Sequence, residues 1–331
     1  MPIQLKGSVL IMLKQNFLLN KIIICCILSV FILLCGCVRE QNEIGRQDTV
    51  TFTDALGRNV TVEKNPARVA ALLGSFADVW TLAGGELCAA AQDAWDDFGL
   101  SLPDVVSLGG AHSPNAELLL SASPDFVLAS ASTAADLEML PLLEKSGIAV
   151  AFFDVDCFDD YLAMLTVCTE ITDRPDLLQQ NGTAIKVKID ELKQEFSAAD
   201  VDAAEKKILL LRVSSSFVKA KGSDGTVLGE MLADIGCVNI ADSEKSLLEN
   251  LSIEVILREE PQHVFIVTMG DDTRKASEQV SRLLKDNPAW GALEAVRLNR
   301  VHFMEKELFN LKPNEKWALA YETLIDIFCE K

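Results

Sequence analysis

PDLLQQNGTAIKVKIDELKQEFSA, residues 175–198, decides how the rest of the chain is read. Leu178, Gly182, Ile185, Ile189, Leu192 and Phe196 recur at steps of four and three along one stripe. Asp173 stands where a capping residue belongs, and Pro175 suits a first turn, so the stretch predicts one long amphipathic helix. At about 1.5 Å per residue it would span roughly 35 Å, the width of a small domain. Gln179, Lys186, Lys188, Asp190, Lys193 and Glu195 hold its other side in water. Two readings stand at this point: a surface helix of one domain, or a rod between two bodies.

The flanks favour the rod. Upstream, TFTDALGRNVTVEKNPARV, residues 51–69, alternates apolar and polar positions around 54–58 as a hairpin does. Strand, turn and helix then alternate: strands at 68–73, 87–91, 105–108, 126–129 and 149–153, helices at 76–83, 115–121, 135–146 and 161–169. Downstream the alternation begins again, with strands at 207–213, 264–267 and 300–304. Its helices are placed at 227–235, 253–258, 280–285 and 314–328. Such repetition predicts mostly parallel sheets covered by helices on both faces. The expected fold is α/β, with two sheet-and-helix lobes joined by a single long inter-lobe helix. The N-terminal lobe is placed at 50–157, the linking helices at 158–200 and the C-terminal lobe at 201–331. A chain of 331 residues suits two cores better than one.

The first 36 residues read as a leader. Lys14 and Lys21 precede IIICCILSVFILL, residues 22–34, an apolar run of signal-peptide length and too short to cross a bilayer comfortably. Met12 is an alternative start. LCGC, residues 34–37, resembles a lipobox and makes Cys37 the lipid acceptor. Cys35 is the alternative, but Leu34 would then occupy the position that wants a small residue; an uncleaved anchor is the other. Residues 37–49 form a polar tether, which places the protein on the outer face of the cell membrane, held by its lipid.

The formal net charge of −19 becomes −22 without the leader, 27 basic residues against 49 acidic, and no basic block appears; a nucleic-acid partner is therefore excluded. Cys88, Cys157, Cys168, Cys237 and Cys329 remain in the body, an odd number without CxxC or CxxH spacing. They read as small buried hydrophobes with one disulfide at most.

Four phrases carry a family resemblance by their order and spacing: TFTDALGRNVTVEKNPARVAAL (51–72), SLGGAHSPNAELLLSASPDFVLAS (107–130), NLSIEVILREEPQHVFIV (250–267) and NPAWGALEAVRLNRVHFM (287–304). Together they resemble the substrate-binding proteins of ABC importers whose lobes are joined by one rigid helix, the class serving iron-siderophore, haem and cobalamin uptake. The resemblance implies a monomer working with ABC permease and ATPase subunits. It also implies no catalytic residues, no resident cofactor, and a transported metal complex as ligand. It places acidic docking residues on the two lobe tips at Glu117 and Glu254, each in the first turn of a helix. A carboxylate there also complements the helix dipole.

In open α/β sheets, ligands lie beyond the carboxyl ends of strands. That rule selects Ser75, Trp95, His112 and Ser130 from the first lobe. From the second it selects Ser215, Phe217, Lys219, Met269 and Phe309. Trp95, a large ring in the polar stretch QDAWDDFG, suits a flat or greasy ligand. His112 offers an axial bond to haem or only a hydrogen bond, and Met269 is the other candidate haem ligand. A bare-metal site is not expected: His263 directly precedes a buried strand and His302 sits inside one, and one remaining histidine is too few. An anionic siderophore would want cations, for which Lys219, Arg212 and Lys306 are available, Arg212 with an undecided direction within its strand. Corrinoid stays open. An enzyme on a related two-lobed scaffold is disfavoured by the lack of GxSxG, HExxH, P-loop or dinucleotide glycine patterns. A surface scaffold without ligand is the third class.

Overall fold

A computed structural model of the chain describes residues 48–270 and 273–329; Cys37, the leader and the tether up to residue 47 lie outside the described residues. Strands β1 (Thr49–Thr53) and β2 (Asn59–Glu63) form the expected antiparallel hairpin, with Val50 opposite Val62 and Phe52 opposite Val60. Val50, Val60 and Val62 turn inward. Asp54 closes the loop: its carboxylate accepts from the backbone N–H of Leu56 and Arg58 at 3.0 Å, of Phe152 at 3.2 Å, and from the Arg58 guanidinium at 2.6 Å. Burial raises the Asp54 pKa, but these donors outweigh it and hold the carboxyl below its ordinary range.

The first sheet contains β3 (Val69–Ala71), β4 (Ala89–Ala90), β5 (Val106–Ser107), β6 (Phe126–Ser130) and β7 (Ala149–Phe153). They run parallel in the order β5-β4-β3-β6-β7. The second contains β8 (Lys207–Val213), β9 (Val218–Lys221), β10 (Val238–Asn239), β11 (His263–Thr268) and β12 (Val301–Met304). Its order is β10-β8-β11-β12, all parallel, and β9 lies antiparallel along the carboxyl half of β8. The two short strands β9 and β10 carry no apolar run, and the sequence reading passes over both.

Alternation along each strand divides the interior into three cores. Leu119, Met139 and Leu143 cover the outer face of the first sheet, and Ile256, Val280 and Trp290 cover that of the second. The inner faces share one core: Phe126, Leu128 and Phe153 on one side, Leu210, Phe265 and Met304 on the other, with Phe76, Tyr161, Phe196, Trp317 and Leu324 between them. The two lobes are thus welded at their base, and Thr49–Lys331 clusters as one compact unit.

The linking helix runs over 175–198 as expected, but not uniformly: Pro175–Leu178 and Ala184–Ala198 are α-helical, and Gln179–Thr183 forms a π turn. A π turn misaligns one backbone carbonyl. Here the buried Tyr161 hydroxyl donates to the Asn181 carbonyl at 2.7 Å, while Asn181 Nδ2 donates to the Leu82 carbonyl at 2.8 Å. Gly182 lets the helices close up, since a Cβ there would fall 2.7 Å from Leu162 Cδ1. Ile189, Leu192 and Phe196 face the shared core, and the Phe196 ring lies 5.8 Å from that of Phe328 in the last helix, Trp317–Cys329. Asp173 is not the cap. It sits at φ 54°, a left-handed bend that carries it away to Lys64 at 3.1 Å, leaving at the cap position Arg174, whose side chain pairs with Asp176 and caps no backbone N–H.

The five cysteines of the body are free thiols, which corrects the allowance for one disulfide among them. Cys168 and Cys237 are buried as expected, whereas Cys157 caps the helix Phe158–Ile171 together with Asp160. Among the described residues no helix is long and apolar enough to cross a membrane.

Candidate functional site

Strand order locates the site. In the first sheet the chain steps outward from β3 to β5, then returns to the other side of β3 with β6; in the second it returns from β10 to β11 across β8. Loops beyond β3 and β6, and beyond β8 and β11, therefore diverge and leave a crevice at each switch point. Ser75 and Ser130 belong to the first crevice, Ser215, Phe217 and Met269 to the second.

On the N-terminal side the geometry is tight and acidic. Residues 74–75 form no turn; they begin the helix Gly74–Leu82 directly. Gly74 N–H donates to Asp93 Oδ2 at 2.9 Å, and a Cβ at Gly74 would meet the Ala94 nitrogen at 2.5 Å, so only glycine permits this approach. Ser75 is buried with its hydroxyl unpartnered. Ser130 N–H donates to Asp136 Oδ2 at 2.7 Å, and its hydroxyl lies 3.0 Å from that of Ser132. Asp136 is fully enclosed and its Oδ1 has no partner. Burial, with Asp93 adding repulsion, pushes its carboxyl up to about 7. Trp95 lies half-buried on the short helix Asp93–Asp96 at the edge of the shared core, and His112 is exposed on the loop after β5, within electrostatic reach of Asp93.

The C-terminal side is cationic. Ser214 Oγ accepts from the N–H of Ser216 at 3.1 Å and of Phe217 at 3.2 Å, tightening the β8–β9 turn, and the exposed Ser215 accepts at its carbonyl from Gln279 at 2.9 Å. Register puts Arg212 directly opposite Lys219, and Lys221 two residues on shares their face. Because Leu210 of β8 faces the shared core, this is the face turned toward the N-terminal lobe. Arg212 therefore points inward, and its Nε is buried without a partner. Lys219 Nζ lies 5.5 Å from the Phe217 ring centre, and Met269, 39% exposed, is tied by its N–H to the Val213 carbonyl at 2.7 Å.

Three contacts bridge the lobes here. Lys306 Nζ meets Asp97 Oδ1 at 2.6 Å, Lys312 Nζ stands 4.0 Å from Asp156 Oδ1, and Asn314 Nδ2 donates to the Ser75 carbonyl at 3.0 Å and to Asp78 Oδ2 at 2.7 Å. Burial lowers the Lys312 pKa, opposed by Asp156 and Asp154, and raises that of Asp156, opposed by Lys312. Phe309 does not reach the crevice; its ring is enclosed in the shared core. Lys221, Lys312 and Asp156 escaped the sequence reading. KILLLRV offers no polar alternation to orient Arg212, and nothing in one dimension brings residue 156 to residue 312.

Glu117 is exposed in the first turn of Ala116–Ser121, and Glu254 in the first turn of Ile253–Glu259, where the Ser252 hydroxyl donates to it at 2.8 Å. Both helices lead into the strand that crosses the switch point, β6 and β11, so the two carboxylates hold equivalent places. His263 and His302 hydrogen-bond to each other at 2.9 Å near the amino ends of β11 and β12, remote from the crevice. Among the described residues no group of three or more His, Cys, Asp or Glu is placed to hold a metal ion. A recess of about 530 Å³ between the hairpin and the start of the linking helix, and one of about 770 Å³ beneath β6 and β7, are gaps away from the strand carboxyl ends.

The profile of the family described as "Periplasmic binding protein" matches residues 69–308. The high-affinity heme uptake system protein IsdE of Staphylococcus aureus (strain MRSA252) is 26% identical over 231 residues, 68% of this chain and 75% of that protein. The Fe(3+)-citrate-binding protein YfmC of Bacillus subtilis is 25% identical over 308 residues, 87% of this chain and 90% of that one. Among solved structures, Staphylococcus aureus SirA complexed with staphyloferrin B superposes with a TM-score of 0.65 at 19% identity, covering 84% of this chain and 96% of that one.

Proposed function

The chain belongs to the periplasmic binding protein family, and from that premise we propose that it is the extracytoplasmic substrate-binding lipoprotein of an ABC importer. It takes an iron complex into the crevice between its lobes and hands it to a permease. The observation that carries this reading is the pair of switch-point crevices at the carboxyl ends of the two sheets, one bearing Ser75 and Ser130, the other bearing Arg212, Phe217 and Lys219. A small ligand seated there would touch both lobes at once. Relatives named for haem and for Fe(3+)-citrate are consistent with a metal-complex cargo.

The welded core and the linking helix restrict closure to a small adjustment of loops. Glu117 and Glu254 are the docking carboxylates, and Cys37 carries the lipid that keeps the protein, as a monomer, beside its permease. The test separates capture from delivery. With both glutamates changed to arginine, cargo affinity measured by tryptophan fluorescence should stay within twofold while cellular uptake falls at least tenfold. Undiminished uptake would remove the docking assignment. A purified chain that binds no iron complex, haem or corrinoid would remove the function itself.

A further inference from the structure

KELFNLKPNEK, residues 306–316, follows the last strand of the second sheet, yet its side chains meet the other lobe beyond three different strands. Lys306 reaches Asp97, past β4; Asn314 reaches Ser75 and Asp78, past β3; Lys312 stands near Asp156, past β7. In the order β4-β3-β6-β7, at about 4.8 Å per strand, the outer two contacts are about 14 Å apart, so the segment crosses most of the first sheet. Leu308, Phe309 and Asn314 are buried and pin it between the lobes.

Its two ends are held unequally. Lys306 and Asp97 are 13% and 23% exposed and lie 2.6 Å apart, a direct ion pair withdrawn from most of the solvent. Removing one member of such a pair leaves the other buried and unpaired, which makes the link strong against separation. Lys306 also brings a positive charge to an acidic turn, where burial raises the Asp93 carboxyl and Asp97 adds repulsion. Both partners sit on hydrogen-bonded turns: the N–H groups of Asp97 and Phe98 donate to the Asp93 carbonyl, and those of Asn310 and Leu311 to the Lys306 carbonyl. At the other end Lys312 and Asp156 stay 4.0 Å apart, too far for a hydrogen bond.

We propose that residues 306–316 form a strap whose Lys306–Asp97 end is a latch. It holds the crevice closed where β4 faces β12, Asn314 is the pivot, and the lobes part only at the β7 edge, past Lys312 and Asp156. Cargo enters and leaves there. The gate for cargo rests on the binding-protein reading; the latch itself does not.

The latch is read in the empty mature chain by hydrogen exchange. Lys306→Met should speed exchange of the Asp97, Phe98, Asn310 and Leu311 amides at least tenfold, with strand β8 unchanged. Asp97→Asn should act in the same direction, and the swapped pair, Lys306→Asp with Asp97→Lys, should return the rates to within threefold of the parent. Lys312→Met and Asp156→Asn should leave those four amides within twofold. Unchanged exchange in Lys306→Met, or equal acceleration by Lys312→Met, would overturn the latch. A second arm uses ferric citrate, haemin and cyanocobalamin as probes. Any that binds should dissociate at least fivefold faster from Lys306→Met, because a second mouth is then open. An unchanged dissociation rate beside faster exchange would refute the one-sided gate. Binding of none of the three would overturn the binding-protein reading, while the exchange result decides the latch by itself.

Discussion

Replacing Asn314 by alanine tests how the two lobes are held. Asn314 is completely buried, at φ 53°, and its amide donates to the Ser75 carbonyl and to Asp78. Asp78 is raised to about 6, chiefly by burial, and the Asn314 hydrogen bond pulls it back. A carboxyl so raised contributes stability that is complete below its unfolded value of 3.8 and is lost as pH rises through about 6. That loss amounts to about 3 kcal/mol by pH 8. In N314A the ionised Asp78 loses a charge-assisted bond, the Ser75 carbonyl loses a neutral one, and alanine must adopt a left-handed backbone. Together these cost about 4 kcal/mol at pH 8. At pH 5, where Asp78 is protonated in the folded protein, the bond lost is weaker, and the cost falls by about 1.5 kcal/mol. Urea unfolding at the two pH values measures both numbers, and N314G, which accepts φ 53° freely, should recover about 1 kcal/mol of the total. A cost below 1 kcal/mol at pH 8, or an equal cost at both pH values, would refute the account of Asn314 as the donor that steadies a buried carboxylate between the lobes.

Two further outcomes are expected. Tyr161→Phe removes the hydroxyl that satisfies the Asn181 carbonyl in the π turn and should cost about 1–3 kcal/mol in urea unfolding, without altering affinity for cargo. Asp54→Asn should cost about 2 kcal/mol at pH 7, since Arg58 is partly exposed and keeps some solvent; because the carboxyl is depressed, that contribution is present above pH 3.8 and disappears as pH falls through its lower folded value, so acid unfolding of the variant should begin from a lower plateau but with a shallower slope.

Much of this protein is written locally. The stripe from Leu178 to Phe196, the hairpin alternation around Asp54, and the continuous apolar strands 126–130 and 207–213 depend on neighbours in sequence, so helix period and strand burial declare them before any folding. Chain order then implied two parallel sheets and the crevices at their carboxyl ends, which is why Ser75, Ser130, Ser215 and Met269 are found at those ends. The expected leader and its acceptor Cys37 lie outside the described residues, and their reading rests on a linear segment alone.

What the tertiary structure decided are the matters set by long-range proximity. The pairing of Lys312 with Asp156, the burial of Phe309, the π turn relieved by Tyr161 and the free thiols all depend on residues tens to hundreds of positions apart. The direction of Arg212 is the sharpest case. In an all-apolar strand both faces look alike from the sequence, and only the packing of Leu210 against the shared core, with β9 laid beside it, shows that the charge points into the crevice.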